Sequence, residues 1–382
     1  MNNLFTFIIG VYVLICPFYL FESGVPQPAH YVAGIAFIMM AFSKDFRSIL
    51  KDKIVLYLFL FVLLTFVINL GYYFKYNTED GGVEFLFHSA YYIFNFLFFL
   101  LFLKTIQQKP ATSNMDTISL FCVISLGIQV VLAILDVDKV TQYIVTGRSV
   151  LYFNNPNQLA YFTLLILTLF TILPSRYRQS KFMVLFVISG AVLLAIVASS
   201  RLVLVGVVLL ALLLLYQLGM QLKLKYWVVI FLIGLIATSF LYKTEFIQKR
   251  IDRVEVRNHR QDTTGISEAQ IRGYDRIRLH PNFILYGAGE GKYNRFLSHQ
   301  KGELHSGFGT ILFSYGAIGL MLFLFFFYKI MAFKFLYNAL LLTPIILYNL
   351  AHQGFRNPLF WGVLAAVYVI GQQKAKTQTE VT

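Results

Sequence analysis

Long apolar runs separated by short polar turns recur along the whole chain, at a length that suits a bilayer better than the interior of a soluble domain. A helix needs about 20 mostly apolar residues to cross the hydrocarbon layer. Runs of this kind place spans near residues 4–21, 31–42, 54–74, 85–103, 117–135 and 158–173. Six more follow near 182–199, 202–218, 226–242, 308–328, 335–350 and 359–370. The second and the last are short and lean on interfacial neighbours. The pattern predicts an all-α integral membrane protein with about twelve transmembrane helices. Residues 1–242 carry nine of them, 243–305 form one long, partly helical loop, and 306–382 carry the last three and a tail.

Composition agrees. With 58% hydrophobic and 13% charged residues, an ordinary soluble domain is excluded. The first run is not expected to be a cleaved signal, because Met1-Asn2-Asn3 carries no basic side chain and no small-residue cleavage site follows Phe21. Cys16 and Cys122 both fall inside predicted spans, so neither a disulfide framework nor a metal cluster is expected.

Charge then orients the spans. Lys44, Arg47, Lys51 and Lys53 follow the second, Lys104 and Lys109 the fourth, and Arg176, Arg178 and Lys181 the sixth. Lys223 and Lys225 follow the eighth, Lys329 and Lys334 the tenth, and Lys374 and Lys376 the last. Basic loops on alternate sides predict a multi-pass protein with cytoplasmic termini and the long loop on the outer side. The net charge of +14 is then topology and anionic-lipid contact, and no nucleic-acid partner is expected.

The basic residue changes identity across the membrane. Inner loops and tail hold 12 Lys and 3 Arg, whereas outer loops hold 11 Arg and 6 Lys. Arg binds phosphate bidentately and keeps its charge when partly desolvated, so an Arg-rich outer surface suits a lipid-linked phosphate. Eight of the outer Arg lie in the loop 243–305.

Four polar segments gather at the outer ends. Arg148-Ser-Val-Leu-Tyr-Phe-Asn-Asn-Pro-Asn157 leads into the sixth span, with Asn157 as the expected N-cap and Asn155 beside it. Arg148 near that positive helix end would make an anion site. Ser199-Ser200-Arg201 turns between two spans, where Arg201 is either a ligand group or a snorkelling anchor. In the loop, Arg250, Arg253, Arg257 and Arg260 share one helix stripe with no acid three or four residues from any of them, which suits headgroups or a pyrophosphate. Arg272 has Glu268 and Arg278 has Asp275 at helical spacing. Arg276 has no such partner and is the best anion-binding candidate of the loop. His280-Pro281 ends that helix, and Tyr286-Gly-Ala-Gly-Glu-Gly291 follows as a flexible turn without the Lys of a P-loop. Last, Glu303-Leu-His305-Ser enters the tenth span, with His305 a candidate general base that Glu303 orients. His352-Gln-Gly-Phe-Arg356-Asn-Pro358 opens the final span on the same side. Tyr274, Tyr286 and Tyr293 are outer aromatic residues, either ligand-stacking rings or interfacial anchors. His88 stands almost alone as an ionisable residue within a span, as a functional group or a helix-to-helix hydrogen bond.

Phe153-Asn-Asn-Pro-Asn-Gln-Leu-Ala160, Ser199-Ser-Arg201, His280-Pro-x5-Gly-x-Gly, Glu303-x-His305-Ser and Tyr315-Gly-Ala-Ile-Gly319, in this order, resemble the O-antigen ligase and polymerase superfamily. The resemblance covers roughly residues 148–319. Ten residues separate Arg276 from Gly287, and Arg278 from Gly289, a spacing similar to that of Wzy-type polymerases, as are the compact length and the segment 352–356. The resemblance implies a GT-C-like fold and a metal-independent glycosyltransferase without a cofactor. Donor and acceptor would be glycans on undecaprenyl pyrophosphate at the periplasmic face, forming O-antigen or a related surface polysaccharide. Catalytic roles would fall to His305, Arg276 and Arg201. Substrate contacts would fall to Arg148, Asn155, Asn157, Arg250, Arg253, Arg278, His280, Glu303, His352 and Arg356. Membrane lipids and a chain-length-regulating membrane protein are implied partners.

Two alternatives stand beside this reading. A ligase would use the same donor and transfer it to lipid A-core. A transporter or flippase would place ionisable groups or broken helices near the midplane, where this sequence is almost bare.

Overall fold

The computed structural model describes residues 2–22, 25–43, 46–77, 81–108, 111–135, 150–218, 267–296, 298–299 and 302–379. These residues are helical and contain no strand. The ninth predicted span, Arg148, Arg250, Arg253, Arg257 and Arg260 lie outside the described residues.

The first half comprises α1 (Asn2–Ile15), α2 (Pro28–Ala41), the short α3 (Phe46–Leu50), α4 (Lys53–Tyr76), α5 (Glu84–Gln107) and α6 (Ala111–Leu135). Then come α7 (Pro156–Ile172), the turn-length α8 (Arg176–Gln179), α9 (Lys181–Val197) and α10 (Arg201–Gln217). Three short helices, α11 (Glu268–Ile271), α12 (Asp275–Leu279) and α13 (Phe283–Tyr286), make up the described part of the long loop. They precede α14 (Gly307–Met331), α15 (Phe335–Ala351) and α16 (Pro358–Thr379). Among the described residues, four helical stretches are long and apolar enough to cross a membrane: Lys53–Tyr76, Glu84–Gln107, Ala111–Leu135 and Gly307–Ala351. Others are shorter; the 14 residues of α2 rise only about 21 Å.

Burial is arranged for an apolar surrounding. Leu56, Phe59, Leu63, Phe66 and Val67 are exposed along α4, and Ile318, Met321, Leu324 and Phe325 along α14. The same helices turn Thr65, Asn69 and Ser314 inward, as α5, α6 and α7 do with Asn95, Gln129 and Thr168. Apolar outside and polar inside suits lipid as the solvent.

Contacts sort the helix ends into two poles. At the basic pole, Tyr368 Oη donates to Asp52, Gln217 donates to Tyr337, and the Arg178 guanidinium donates to the Thr171 carbonyl at 2.7 Å. Lys104 corrects one expectation: it is not a hydrated topology charge. Only 2% exposed, it donates to Ser43 Oγ and lies 4.7 Å over the Phe5 ring.

At the opposite pole, α14 starts beside the end of α15, Gly307 N–H donating to the His352 carbonyl at 3.0 Å. The start of α7 is tied there too, Tyr348 Oη donating to the Asn157 carbonyl at 2.8 Å. Here α14 is broken at Gly316, whose φ of 69° and ψ of −177° are non-helical. The break frees the carbonyls of Phe313 and Ser314, which accept from Ala288 and Gly289 N–H at 2.9 Å each. A loop segment is thus hydrogen-bonded into the helix, satisfying backbone groups that no water would reach. A Cβ on Gly316 would stand 2.4 Å from the Leu285 carbonyl oxygen. Gly316→Ala should therefore cost at least about 1–3 kcal/mol from backbone strain alone. Gly71→Ala, a helical position with open space, should be tolerated. Thermal unfolding of the purified protein separates the two; equal midpoints would remove the strain from Gly316.

Candidate functional site

Behind the broken helix, the turn Gly287–Gly291 aims one carboxylate inward. Gly287, Gly289 and Gly291 all have positive φ, which lets the turn pass within contact of Tyr315, Tyr72 and Glu84. The turn is pinned by Tyr72 Oη, donating to the Gly287 carbonyl at 3.0 Å, and by the Arg295 guanidinium on the carbonyls of Ala288 and Gly289. Its acid, Glu290, is fully buried.

A buried carboxylate needs a full set of partners, and Glu290 has them. Arg356 donates through Nε at 3.1 Å and through Nη2 to Oε1. Tyr315 Oη donates to Oε2 at 2.6 Å, and Gln353 reaches Oε1 at 3.5 Å. Glu290 N–H donates to Asn69 Oδ1 at 2.8 Å, and Asn69 in turn donates to Ser89. Burial pushes the Glu290 carboxylic acid up, but the Arg356 guanidinium, helped by the Tyr315 hydrogen bond, outweighs it and holds the acid well below the usual carboxylate range.

The network continues outward through Arg356. Its Nη1 meets Glu303 Oε2 at 2.5 Å, and its Nη2 donates to Tyr293 Oη at 3.0 Å. Tyr293 Oη also lies 3.3 Å from His88 Nε2. The order from interior to surface is Glu290, Arg356, Glu303, with side-chain exposures of 0%, 20% and 35%. His88 is therefore bonded from a helix to a loop tyrosine, where a helix-to-helix bond was one expectation.

Beside this network, the segment 302–306 lies along the end of α15. His305 N–H donates to the Arg272 carbonyl at 3.0 Å, and Arg272 Nη1 donates to the Ala351 carbonyl at 2.6 Å. Arg272 thus sits on the negative end of a helix. The His352 ring stands 4.7 Å from Tyr348, which stacks on Tyr161 at 4.3 Å. His305, His352 and Glu303 are partly exposed and share this pole with Arg356. Glu303 is paired with Arg356.

Several predicted residues are placed differently from the sequence reading. Arg276, expected as an open anion group, is 1% exposed. Its guanidinium donates to Ser298 Oγ and the Gly302 carbonyl, and lies 5.0 Å from Phe296 and 5.5 Å from Tyr293. It buttresses the segment leading to Glu303, so Arg276 variants will report on folding before chemistry. Asp275 accepts the backbone N–H groups of Arg276 and His299. Arg278 is exposed on α12. His280 ends α12 and packs on Phe296 at 5.4 Å, within the loop's own apolar cluster. The N-cap of α7 is Asn155, whose Oδ1 accepts from Gln158 N–H at 2.9 Å, and Pro156 takes the first helical position. Asn157, the expected cap, is inside the first turn and contributes its carbonyl to Tyr348. Arg201 is exposed on the first turn of α10, capped by Ser200. Of the three tyrosines, Tyr286 is exposed, Tyr274 donates to the Leu350 carbonyl, and Tyr293 is held in the ionic network.

Glu290, Tyr315, Asn69 and Tyr72 were not anticipated. The signals were a lone acid inside a glycine-rich turn and polar residues interrupting apolar runs. Comparison of the chain with models of known protein families finds no match, and comparison with curated proteins finds none either.

Glu290→Ala would leave Arg356 with one carboxylate fewer and should cost about 3–5 kcal/mol. The depressed folded-state acidity sets the sign with pH: the stability it contributes is full above the ordinary carboxylate range and is lost as pH falls toward the lower folded value. Wild type should lose thermal stability more steeply than Glu290→Gln on acidification below about pH 4.3. Parallel acid profiles would show that Glu290 carries no such charge.

Proposed function

We propose that this chain is a polysaccharide polymerase of the inner membrane, a glycosyltransferase that joins repeat units carried on undecaprenyl pyrophosphate. The supporting observation is the convergence of Glu303, His305, His352 and Arg356, from the start of α14 and the end of α15, beside Arg272 at the pole opposite Asp52 and Lys104. In this reading the two poles are the two faces of the membrane, twelve helices cross it in a GT-C-like arrangement, and the Arg-rich pole is periplasmic.

The chemistry is a single displacement. An acceptor sugar hydroxyl attacks the anomeric carbon of the donor, and the bond from that carbon to the pyrophosphate oxygen breaks. His305 takes the hydroxyl proton, and undecaprenyl pyrophosphate leaves with its electron pair. Guanidinium groups meet the charge that develops on the leaving oxygen, an electrostatic role that often dominates transfer catalysis. Arg356 and Arg201 supply it, with Arg278 at the loop surface. Arg276 holds the Glu303–His305 segment in place from behind. Asn155 and Asn157 set the end of α7 that borders the acceptor side.

His305→Gln keeps a hydrogen-bonding group but cannot take the proton, so it should lower transfer by about two to four orders of magnitude at unchanged protein abundance. Surface polysaccharide from a deletion strain carrying each variant provides the readout. Loss of a polymerase leaves single repeat units on the lipid core; loss of a ligase leaves the core bare while lipid-linked polymer accumulates. Normal polymer from the Gln variant would take His305 out of the chemistry, and a bare core would assign the ligase reaction instead.

A further inference from the structure

Arg356 has two carboxylate partners that differ in how they are held. Glu290 is fully buried, and both of its oxygens are engaged, by Tyr315 on one side and by Arg356 with Gln353 on the other. It cannot leave without stranding a charge in the interior. Glu303 is 35% exposed at the side chain and reaches Arg356 through one oxygen on Nη1, at the end of the guanidinium nearest the surface. Its departure to solvent costs little, because a partly exposed ion pair is only weakly held against water.

Charge decides what can approach. Arg356 with Glu290 is neutral, and Glu303 makes the cluster net negative. An anion arriving at Arg356 therefore meets both a filled donor and a repelling carboxylate. A phosphate or pyrophosphate carries more charge than a carboxylate and offers the guanidinium fork more acceptors. It would outcompete Glu303 and not Glu290.

We infer that Glu303 is a displaceable internal anion: a pyrophosphate ligand replaces it on Arg356 Nη1, while Glu290 stays bound and keeps the guanidinium aimed. This deepens the polymerase reading and rests on it for the identity of the ligand as a polyprenyl pyrophosphate. The exchange also has a consequence for the base. The released carboxylate lies two residues from His305, where it would stabilise the imidazolium that forms as the acceptor gives up its proton.

The test is binding, measured by calorimetry on the full-length protein in phosphatidylcholine nanodiscs with farnesyl pyrophosphate as the probe and farnesol as the uncharged control. Glu303→Gln removes the internal competitor and should bind the pyrophosphate more tightly than wild type, by roughly three- to tenfold, with farnesol unchanged. The gain should vanish when Arg356→Gln is added. Glu303→Asp, which keeps the charge but shortens the reach, should fall between wild type and Gln and serves if the Gln variant does not fold. Unchanged or weaker pyrophosphate binding by a folded Gln or Asp variant would overturn the exchange. So would a gain that survives Arg356→Gln, or an equal gain for farnesol. Binding is read without turnover, so the two readings fail separately. A gain in Glu303→Gln binding with no transfer by the wild-type protein sinks the polymerase assignment alone, and wild-type transfer without the gain sinks only the exchange.

Discussion

One buried negative charge organises the described structure around it. Glu290 sits where α4, α5, the broken α14 and the start of α16 approach one another, and a carboxylate there is untenable unless each of those elements answers it. Asn69 on α4 takes its backbone N–H, Tyr315 before the break in α14 donates to one oxygen, and Arg356 ahead of α16 neutralises it. The glycine-rich turn and the break at Gly316 follow from the same need. A turn can bring an acid this deep only if its own amides find acceptors, and the interrupted helix provides two.

That arrangement joins parts of the chain that are far apart in sequence. The described part of the long loop does not rest on the bundle as a separate module. Its residues 287–293 are stitched into the helices by Tyr72, Asn69, His88 and Arg356, and its α12 is held by Arg276 on Ser298 and the Gly302 carbonyl. The burial of Arg276 and the exposure gradient from Glu290 to Glu303 both follow. The loop keeps its structural charges inside and presents the outer side of Arg356, together with His305 and His352, at the pole.

The helical plan was legible because hydrophobic runs and loop charges are local features, and the runs predicted outside 226–242 fall on helices, although the first, 4–21, is helical only as far as Ile15. The gathering of the Asn155, Arg201, His305 and Arg356 segments at one pole was legible from alternation alone. Pairings were not. Arg276 looked unpartnered because helical spacing tests only neighbours three or four residues away, whereas its partners lie 22 and 26 residues on. Glu303 looked like a companion for His305 because the two are close in sequence; a guanidinium 53 positions later takes it. Lys104 looked like a topology charge because neither Ser43 nor Phe5 is near it in the chain. Long-range electrostatics decides these cases, and no periodicity encodes it.

The most direct measurement is transfer by the purified protein in nanodiscs, supplied with an undecaprenyl-pyrophosphate-linked repeat unit and a chelator of divalent ions. A polymerase that works through guanidinium groups and His305 should yield a ladder of lipid-linked oligomers and release undecaprenyl pyrophosphate in step with each bond formed, with the chelator making no difference. Single repeat units that stay single in wild-type protein, or a ladder that appears only when a divalent ion is restored, would contradict it.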